Sequence, residues 1–239
     1  MRKIGEQQRS GGRGRLPATI AIDGPAAAGK SAIGSRLARR LGYRFIDTGS
    51  MYRALTWLAL RKGVDPQDEK AVAELAAATS MQMETGARSA PDECGVRVDG
   101  LDATPHLRSP EVEAAVSWVS RVARARRVMV EAQRHLAEEG RVVMAGRDIG
   151  TVVLPEADLK VYLDASPEVR ARRRHEELTA LGQAASLEGI RRDLTRRDAI
   201  DSRRKASPLK PAADATIIDT NDLTLDEVVG RVLSLIRCR

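Results

Sequence analysis

The chain is poor in aromatic residues and in cysteine. Phe, Trp and Tyr together make up 3% of its 239 residues, so Ala, Val, Leu and Ile must fill its core. Its two cysteines, Cys94 and Cys238, have neither the spacing of a metal site nor that of a disulfide framework, so we expect a reducing, cytoplasmic setting. No apolar run approaches the roughly 20 residues that span a bilayer, and we therefore expect no membrane partner.

The N-terminal segment lacks the apolar stretch that a secretory signal needs. Residues 1–16 are basic and rich in glycine, and we expect them to form a disordered extension. The chain as a whole is 42% hydrophobic, which is close to the norm for globular proteins. A core of considerable size is therefore expected in the remainder.

The formal net charge of +7 allows two interpretations. A nucleic-acid-binding protein would use it to displace counterions from phosphates, and an enzyme would use it to hold a small polyanion. Arginines concentrate between Arg170 and Arg204, but that stretch contains no Phe, Tyr or Trp on which single-stranded bases could stack. The pattern favours a polyanion-binding pocket over a nucleic-acid partner.

A glycine-rich segment carries the clearest chemical signal. It matches the pattern G-x-x-x-x-G-K-[ST] in full, with the residues Gly24, Pro25, Ala26, Ala27, Ala28, Gly29, Lys30 and Ser31. A strand, a glycine loop and a helix in this order direct backbone N–H groups at one small volume, where Lys30 can reach phosphates and Ser31 can ligate Mg²⁺. The alternative is an ordinary glycine-rich turn between a strand and a helix.

Apolar segments typical of buried strands alternate with helical patterns. The predicted strands are 18–22, 43–46, 141–145, 159–163 and 215–218, and the predicted helices are 31–41, 50–62, 111–139, 167–179, 187–204 and 224–237. This alternation predicts an α/β fold whose parallel sheet is covered by helices on both faces. Within 64–110, a short helix near 68–78 and the alternating segments 81–84 and 96–98 predict a small inserted module with antiparallel strands.

The segment 47–53 follows the predicted strand 43–46. Because parallel strands end at one edge of the sheet, we expect this segment beside the glycine loop. Thr48, Tyr52 and Arg53 are therefore candidates for holding a second, anionic substrate. The alternative is an N-capped helix on which Tyr52 and Arg53 are ordinary surface residues.

Arg147 and Asp148 follow the predicted strand 141–145 after a single glycine, Gly146. An arginine at that edge can bind phosphate through two N–H groups, and the aspartate can orient Mg²⁺-bound water or accept from a base amino group. The alternative is a mutual ion pair that ends the strand.

Arg197, Asp201 and Arg204 are spaced at i, i+4 and i+7, which places them on one face of a helix. Two cations beside a carboxylate suit a ribose hydroxyl and a phosphate. The alternative is a solvated helix surface, which is the usual meaning of a run of charges.

Taken in order, these segments resemble the bacterial cytidylate kinase family of P-loop nucleoside monophosphate kinases. The resemblance extends from residue 18 to near the C-terminus and includes 162–166 and 197–209. It implies a P-loop kinase core with a five-stranded parallel sheet at 17–62 and 141–239. It further implies a nucleoside-monophosphate-binding domain with a small antiparallel insert at 63–140, and a lid at about 170–196.

The resemblance also implies roles for individual residues. The acceptor phosphate would be held by Thr48, Arg53, Arg147 and Arg204, and the acceptor pocket would be lined by Tyr52. Cytosine would be bound by Ser117, Arg126 and Asp148, and the ribose by Arg197 and Asp201. The donor would contact the segment 24–32, which ends at Ala32. Catalysis would involve Lys30, Arg147, Asp148 and the lid arginines Arg170 and Arg173.

The implied reaction is phosphorylation of CMP, and of dCMP, by ATP with Mg²⁺. The attacking phosphate oxygen is already anionic, so no general base is required, and the three histidines show no catalytic spacing. We expect a monomer whose partners are these nucleotides. Two alternatives stay open: another small-molecule P-loop kinase, such as one for shikimate, gluconate or a different monophosphate, and a nucleotide-gated nucleic-acid-binding protein.

Overall fold

The computed structural model describes residues 16–84 and 95–237. The strands are β1 (Thr19–Asp23), β2 (Arg44–Asp47), β3 (Met81–Glu84), β4 (Gly95–Val98), β5 (Leu101–Asp102), β6 (Val142–Gly146), β7 (Leu159–Asp164) and β8 (Thr216–Asp219). The α-helices are α1 (Lys30–Leu41), α2 (Thr48–Arg61), α3 (Glu69–Ala78), α4 (Pro110–Arg121), α5 (Ala123–Ala137), α6 (Pro167–Ala180), α7 (Leu187–Arg203) and α8 (Leu225–Arg237). Apart from Leu16, the predicted N-terminal extension lies outside the described residues.

A five-stranded parallel sheet with the strand order β2-β6-β1-β7-β8 forms the centre of the fold. β1 lies in the middle, where Ile20 pairs with Val143 of β6 and with Leu159 of β7. Because the strands are parallel, the segments that follow β1, β2 and β6 meet at one edge. The predicted fold class is confirmed, and each of the five predicted strands is observed with its ends shifted by no more than one residue.

Successive residues of β1 pack on opposite faces of the sheet. Ile20 and Ile22 join side chains of α1 and α8 in one apolar cluster. Ala21 joins Met144 of β6 and Val130 of α5 in another. Because both faces of the central strand are buried, its sequence is apolar without alternation.

The segment predicted as an inserted module contains α3 and a three-stranded antiparallel sheet, β3-β4-β5. Val96 and Val98 of β4 pack against Ala54 and Leu58 of α2. The predicted alternation at 81–84 and 96–98 is confirmed as an antiparallel pair. β5 was not predicted, since two residues are too few to show a pattern.

The single helix predicted over 111–139 is wrong, because α4 and α5 are separated by Val122. This residue adopts an extended backbone, with φ −68° and ψ 111°. Its side chain is buried in the same apolar cluster as Val119 and Ala125. Both helices bury a face against this cluster, so the apolar periodicity continues across the break, and no Gly or Pro marks it.

The segment predicted as the lid, about 170–196, comprises most of α6, the connection 181–186 and the first part of α7. Ala171 of α6 and Ile190 and Leu194 of α7 share a small apolar cluster with Ala26 of the glycine loop. The two helices are therefore packed against the loop. Within residues 16–84 and 95–237, no helix has the length and apolar character needed to cross a membrane.

Candidate active site

The loop between β1 and α1 has a conformation that requires glycine at two positions. Gly24 has a φ of 151°, and a Cβ there would lie 2.3 Å from the carbonyl oxygen of Leu163. Gly29 has a φ of 86° and precedes α1 without a side-chain cap. The N–H groups of the first turn of α1 are thus left for another acceptor, and the helix dipole favours an anion there.

Lys30 is the first residue of α1 and is almost fully buried. Its Nζ donates to the carbonyl oxygen of Pro25 at 2.6 Å. Burial and, to a smaller extent, repulsion from Arg147 hold the pKa of Lys30 well below its usual range. An anion beside this amine would stabilise its charged form.

Asp47 links the glycine loop to the start of α2. Its Oδ2 accepts from Ser31 Oγ at 2.7 Å, and its Oδ1 accepts from the backbone N–H of Gly49 at 2.9 Å, which caps α2. Thr48 Oγ1 donates to the carbonyl oxygen of Ala145 at 2.9 Å and so fastens α2 to the end of β6. The segments after β1, β2 and β6 are therefore joined by direct hydrogen bonds.

Arg53 and Arg197 share one carboxylate, that of Glu113 in the first turn of α4. Glu113 accepts from Arg53 Nε at 2.7 Å and from Arg197 Nη1 at 2.5 Å. Burial alone would raise the pKa of Glu113, but the two guanidinium groups hold it well below its usual range. α2 is N-capped, as the alternative interpretation predicted, but Arg53 is not an ordinary surface residue.

Arg147 and Arg204 share a second carboxylate, that of Asp201 on α7. Arg147 Nε donates to Oδ2 at 2.9 Å, and Arg204 Nη1 donates to Oδ1 at 3.5 Å. Burial alone would raise the pKa of Asp201, but Arg147 and then Arg204 lower it. The alternative of a mutual pair between Arg147 and Asp148 is wrong, since Arg147 pairs with Asp201.

Arg126 and Asp148 form a buried pair next to Tyr52. Arg126 Nη2 lies 2.5 Å from Asp148 Oδ2, and the two side chains are 3% and 6% exposed. The guanidinium carbon of Arg126 lies 5.2 Å from the ring centroid of Tyr52. Burial raises the pKa of Tyr52 to about 12, so its hydroxyl stays protonated at neutral pH.

The two predicted lid arginines are placed differently. Arg170 is buried, donates to the carbonyl oxygens of Ala165 at 2.9 Å and Ala26 at 3.1 Å, and pairs with Asp198 at 2.6 Å. Arg173 donates to Thr220 through both of its Nη groups. Arg173 lines the cleft, whereas Arg170 supports the glycine loop from outside it.

These elements surround a cleft of about 770 Å³, within the range of small-molecule sites. The predicted residues that line it are Ala26, Ala27, Ala28, Gly29, Lys30, Ser31, Ala32, Thr48, Tyr52, Arg53, Ser117, Arg126, Arg147, Asp148, Arg173, Arg197, Asp201 and Arg204. Gly24, Pro25 and Arg170 were also predicted for the site but lie outside this lining. The structure thus brings the glycine loop and the arginines to one volume.

Comparison with known proteins shows the family to which the chain belongs. A family model described as cytidylate kinase matches residues 20–238. The chain belongs to the cytidylate kinase family. A cytidylate kinase from Pelotomaculum thermopropionicum is 50% identical over 215 residues, which cover 90% of this chain and 94% of that protein. A cytidylate kinase from Rhodococcus opacus is 46% identical over 218 residues, covering 91% of this chain and 93% of that protein.

Among solved structures, an uncharacterized protein from Eubacterium ventriosum matches with a TM-score of 0.50 and 10% sequence identity. The match covers 92% of this chain and 99% of that one. At this identity the likeness concerns the fold alone.

Two carboxylates of this cytidylate kinase family member, those of Asp23 and Glu113, were not predicted as functional from the sequence. Asp23 is buried and accepts from the backbone N–H groups of Ile149 and Gly150, each at 2.7 Å. Its position at the end of a buried strand was a usable signal, because a charge there needs partners. Glu113 gave no such signal, since an acidic residue in a first helical turn is already explained by the helix dipole.

Proposed function

We propose that the chain transfers the terminal phosphoryl group of ATP to CMP, and also to dCMP, releasing ADP and CDP or dCDP. The observation that carries this proposal is one cleft lined both by residues 26–32 of the glycine loop and by Arg53, Arg147 and Arg204. A loop of this kind suits a polyphosphate donor, and a second set of cations suits a second anionic substrate. The relatives named cytidylate kinase support CMP as that substrate.

The donor would lie against the glycine loop. The uncapped N–H groups of α1 and the amine of Lys30 suit its β- and γ-phosphates. The Ser31 hydroxyl and the Asp47 carboxylate, 2.7 Å apart, are oxygen ligands of the kind that Mg²⁺ prefers, so these residues fit the ion. When bound, Mg²⁺ supplies positive charge that stabilises the transferring group.

The acceptor phosphate would be held by Arg53, Arg147 and Arg204, with the Thr48 hydroxyl nearby. Each arginine is already oriented by a carboxylate, Arg53 by Glu113 and the other two by Asp201. An arginine has five N–H donors, so one or two bonds to a carboxylate leave others for a phosphate. Such orientation before binding reduces the rearrangement that the reaction requires.

The base would be bound by Ser117, Arg126 and Asp148. Cytosine carries an amino group at C4, which needs an acceptor such as Asp148, and its O2 and N3 need a donor such as Arg126. Uracil carries an acceptor at C4, which would leave a buried acceptor unpaired at a cost of roughly 1–3 kcal/mol. Arg197 and Asp201 would contact the ribose.

The chemistry needs alignment and charge compensation rather than a general base. An anionic oxygen of the acceptor phosphate forms a bond to the γ-phosphorus, and the bond from that phosphorus to the bridging oxygen breaks, with its electron pair leaving on ADP. Lys30 and the arginines offset the repulsion between the two nucleotides and the charge on the transferring group. Arg173 is the lid arginine placed to contribute to this, while Arg170 holds the loop through Ala26.

An acceptor panel tests the proposal. ADP release is measured in a coupled assay at saturating ATP and Mg²⁺, with CMP, dCMP, UMP, AMP, shikimate and gluconate as acceptors. We expect CMP and dCMP to give the highest kcat/KM, with UMP at least about fivefold lower because of its unpaired acceptor. Equal kcat/KM for UMP and CMP would remove the assignment of Asp148 and Arg126, and transfer to shikimate or gluconate alone would favour another small-molecule kinase. Salt-dependent RNA binding without transfer would favour the nucleic-acid alternative.

A further inference from the structure

Glu113 connects three helices at the cleft. It lies in the first turn of α4, and its two oxygens accept from Arg53 of α2 at 2.7 Å and from Arg197 of α7 at 2.5 Å. Its side chain is 16% exposed and lines the cleft with both arginines. One carboxylate therefore sets the relative position of two cations from different parts of the fold.

The two arginines need this carboxylate because both are largely buried, with side chains 22% and 15% exposed. Burial lowers the pKa of Arg197, the neighbouring Arg53 lowers it further, and Glu113 acts in the opposite direction. Two buried cations with no anion between them repel each other and are poorly hydrated. Removing the charge of Glu113 should therefore displace at least one of them.

The bonds to Glu113 use only part of each guanidinium. They occupy Nε of Arg53 and Nη1 of Arg197, and within the described part of the chain these are the hydrogen bonds that the two arginines make. Because a guanidinium carries five N–H groups, both arginines keep donors for a ligand. Glu113 therefore holds both guanidinium groups in place while other N–H groups of each remain able to bind a ligand.

We propose that Glu113 is a positioning residue for phosphoryl transfer, which holds Arg53 and Arg197 in the orientation that the acceptor nucleotide requires and offsets their charge until that nucleotide binds. This inference rests on the proposed function and assigns a further residue to it. With one negative charge between two positive ones, the set attracts a free anion less strongly than two bare arginines would. Glu113 thus improves alignment and weakens the binding of inorganic phosphate.

The substitution Glu113→Gln tests both effects. Glutamine has a similar size but one acceptor oxygen, so it can bond one arginine and presents its NH₂ group to the other. We expect kcat with CMP to fall about 10²-fold, because a misplacement of about 1 Å in a catalytic site can reduce the rate by that factor. We also expect inorganic phosphate to compete with CMP more strongly, with a lower inhibition constant.

Glu111→Gln is the matched control. Glu111 is exposed in the same turn of α4, and its substitution makes the same change in charge. It should leave kcat and the inhibition constant of phosphate at the wild-type values. A purely structural effect of Glu113→Gln would lower kcat without strengthening phosphate inhibition, and that result would overturn the proposal, as would a wild-type kcat.

Glu113→Asp distinguishes the effect of the carboxylate's position from the effect of its charge. It also provides a test of the proposal if Glu113→Gln fails to fold. Aspartate retains the charge on a shorter side chain, so we expect a reduced kcat with the wild-type inhibition constant for phosphate. A wild-type kcat in this variant would overturn the positioning role. Wild-type protein that phosphorylates no acceptor would instead refute the proposed function, so the two failures can be told apart.

Discussion

The glycine loop presents mainly backbone N–H groups and one lysine to the cleft, whereas the rest of the lining presents eight arginines, among them Arg53, Arg126, Arg147, Arg197 and Arg204. The loop is one continuous segment, residues 24–32. The five arginines, called the arginine set below, come from α2, α5, the segment after β6, and α7 with the residue that follows it. The first region therefore depends on local backbone geometry, and the second depends on the packing of the whole fold.

The two regions also differ in how their charges are compensated. Lys30 donates to a carbonyl oxygen, which carries no full charge, and burial lowers its pKa. Each member of the arginine set instead contacts a carboxylate, that of Glu113, Asp148 or Asp201. The arginine set is thus oriented before a ligand arrives, whereas Lys30 forms no ion pair within residues 16–84 and 95–237.

Lys30→Ala should give the largest effect and should act on every acceptor alike. Removing the amine leaves the charge on the transferring phosphoryl group without this compensation, and we expect turnover to fall ~10³-fold or more. Steady-state kinetics with CMP and dCMP measure this. Lys62→Ala, at an exposed lysine beyond the end of α2, is the control and should keep wild-type turnover. A near-wild-type rate for Lys30→Ala would show that the loop does not hold the donor.

Arg126→Ala should lower kcat/KM for the acceptor CMP and leave the KM for the donor ATP unchanged. It removes a charge-assisted bond and leaves Asp148 with a weaker partner, Arg204, at 3.7 Å. We expect kcat/KM for CMP to fall about tenfold to 10²-fold with the KM for ATP unchanged, the scale of a hydrogen bond to a charged group. Arg127→Ala, at the exposed neighbouring residue, should change neither constant. An equal rise in both KM values would contradict the separation between the two regions.

Asp23 connects the two regions, since it ends β1 and binds the turn that follows Asp148. Burial raises its pKa from 3.8 to about 6, so between these values it is protonated in the folded chain and ionised in the unfolded chain. Its contribution to the free energy of unfolding is therefore present below pH 3.8 and is lost as the pH rises through 6.

Urea unfolding at several pH values measures this smallest effect. Relative to Asp23→Asn, which does not titrate, the wild-type free energy of unfolding should fall by about 1 kcal/mol between pH 5 and pH 6 and change little above pH 7. A difference between the two proteins that stays constant with pH would show that Asp23 does not titrate in this range.

The sequence predicts the two regions unequally well. The glycine loop and the strands around it follow from contiguous patterns, and the structure places them within a residue or two of the expected bounds. The partners of the arginines do not follow in this way, because no spacing rule connects Arg197 to Glu113 or Arg147 to Asp201. The extended residue Val122 was missed for a related reason: its role is set by a cluster of side chains from several helices.

The break at Val122 has a consequence for the choice of base. Ser117 and Arg126 are nine residues apart, and in an uninterrupted α-helix nine residues make about two and a half turns, so the two side chains would project from opposite sides. Both line the cleft, and the extended backbone of Val122 interrupts the helix between them. The proposed discrimination between cytosine and uracil, which assigns the base to Ser117, Arg126 and Asp148, would then be lost by any change that made the helix continuous through residue 122, even with Ser117 and Arg126 themselves intact.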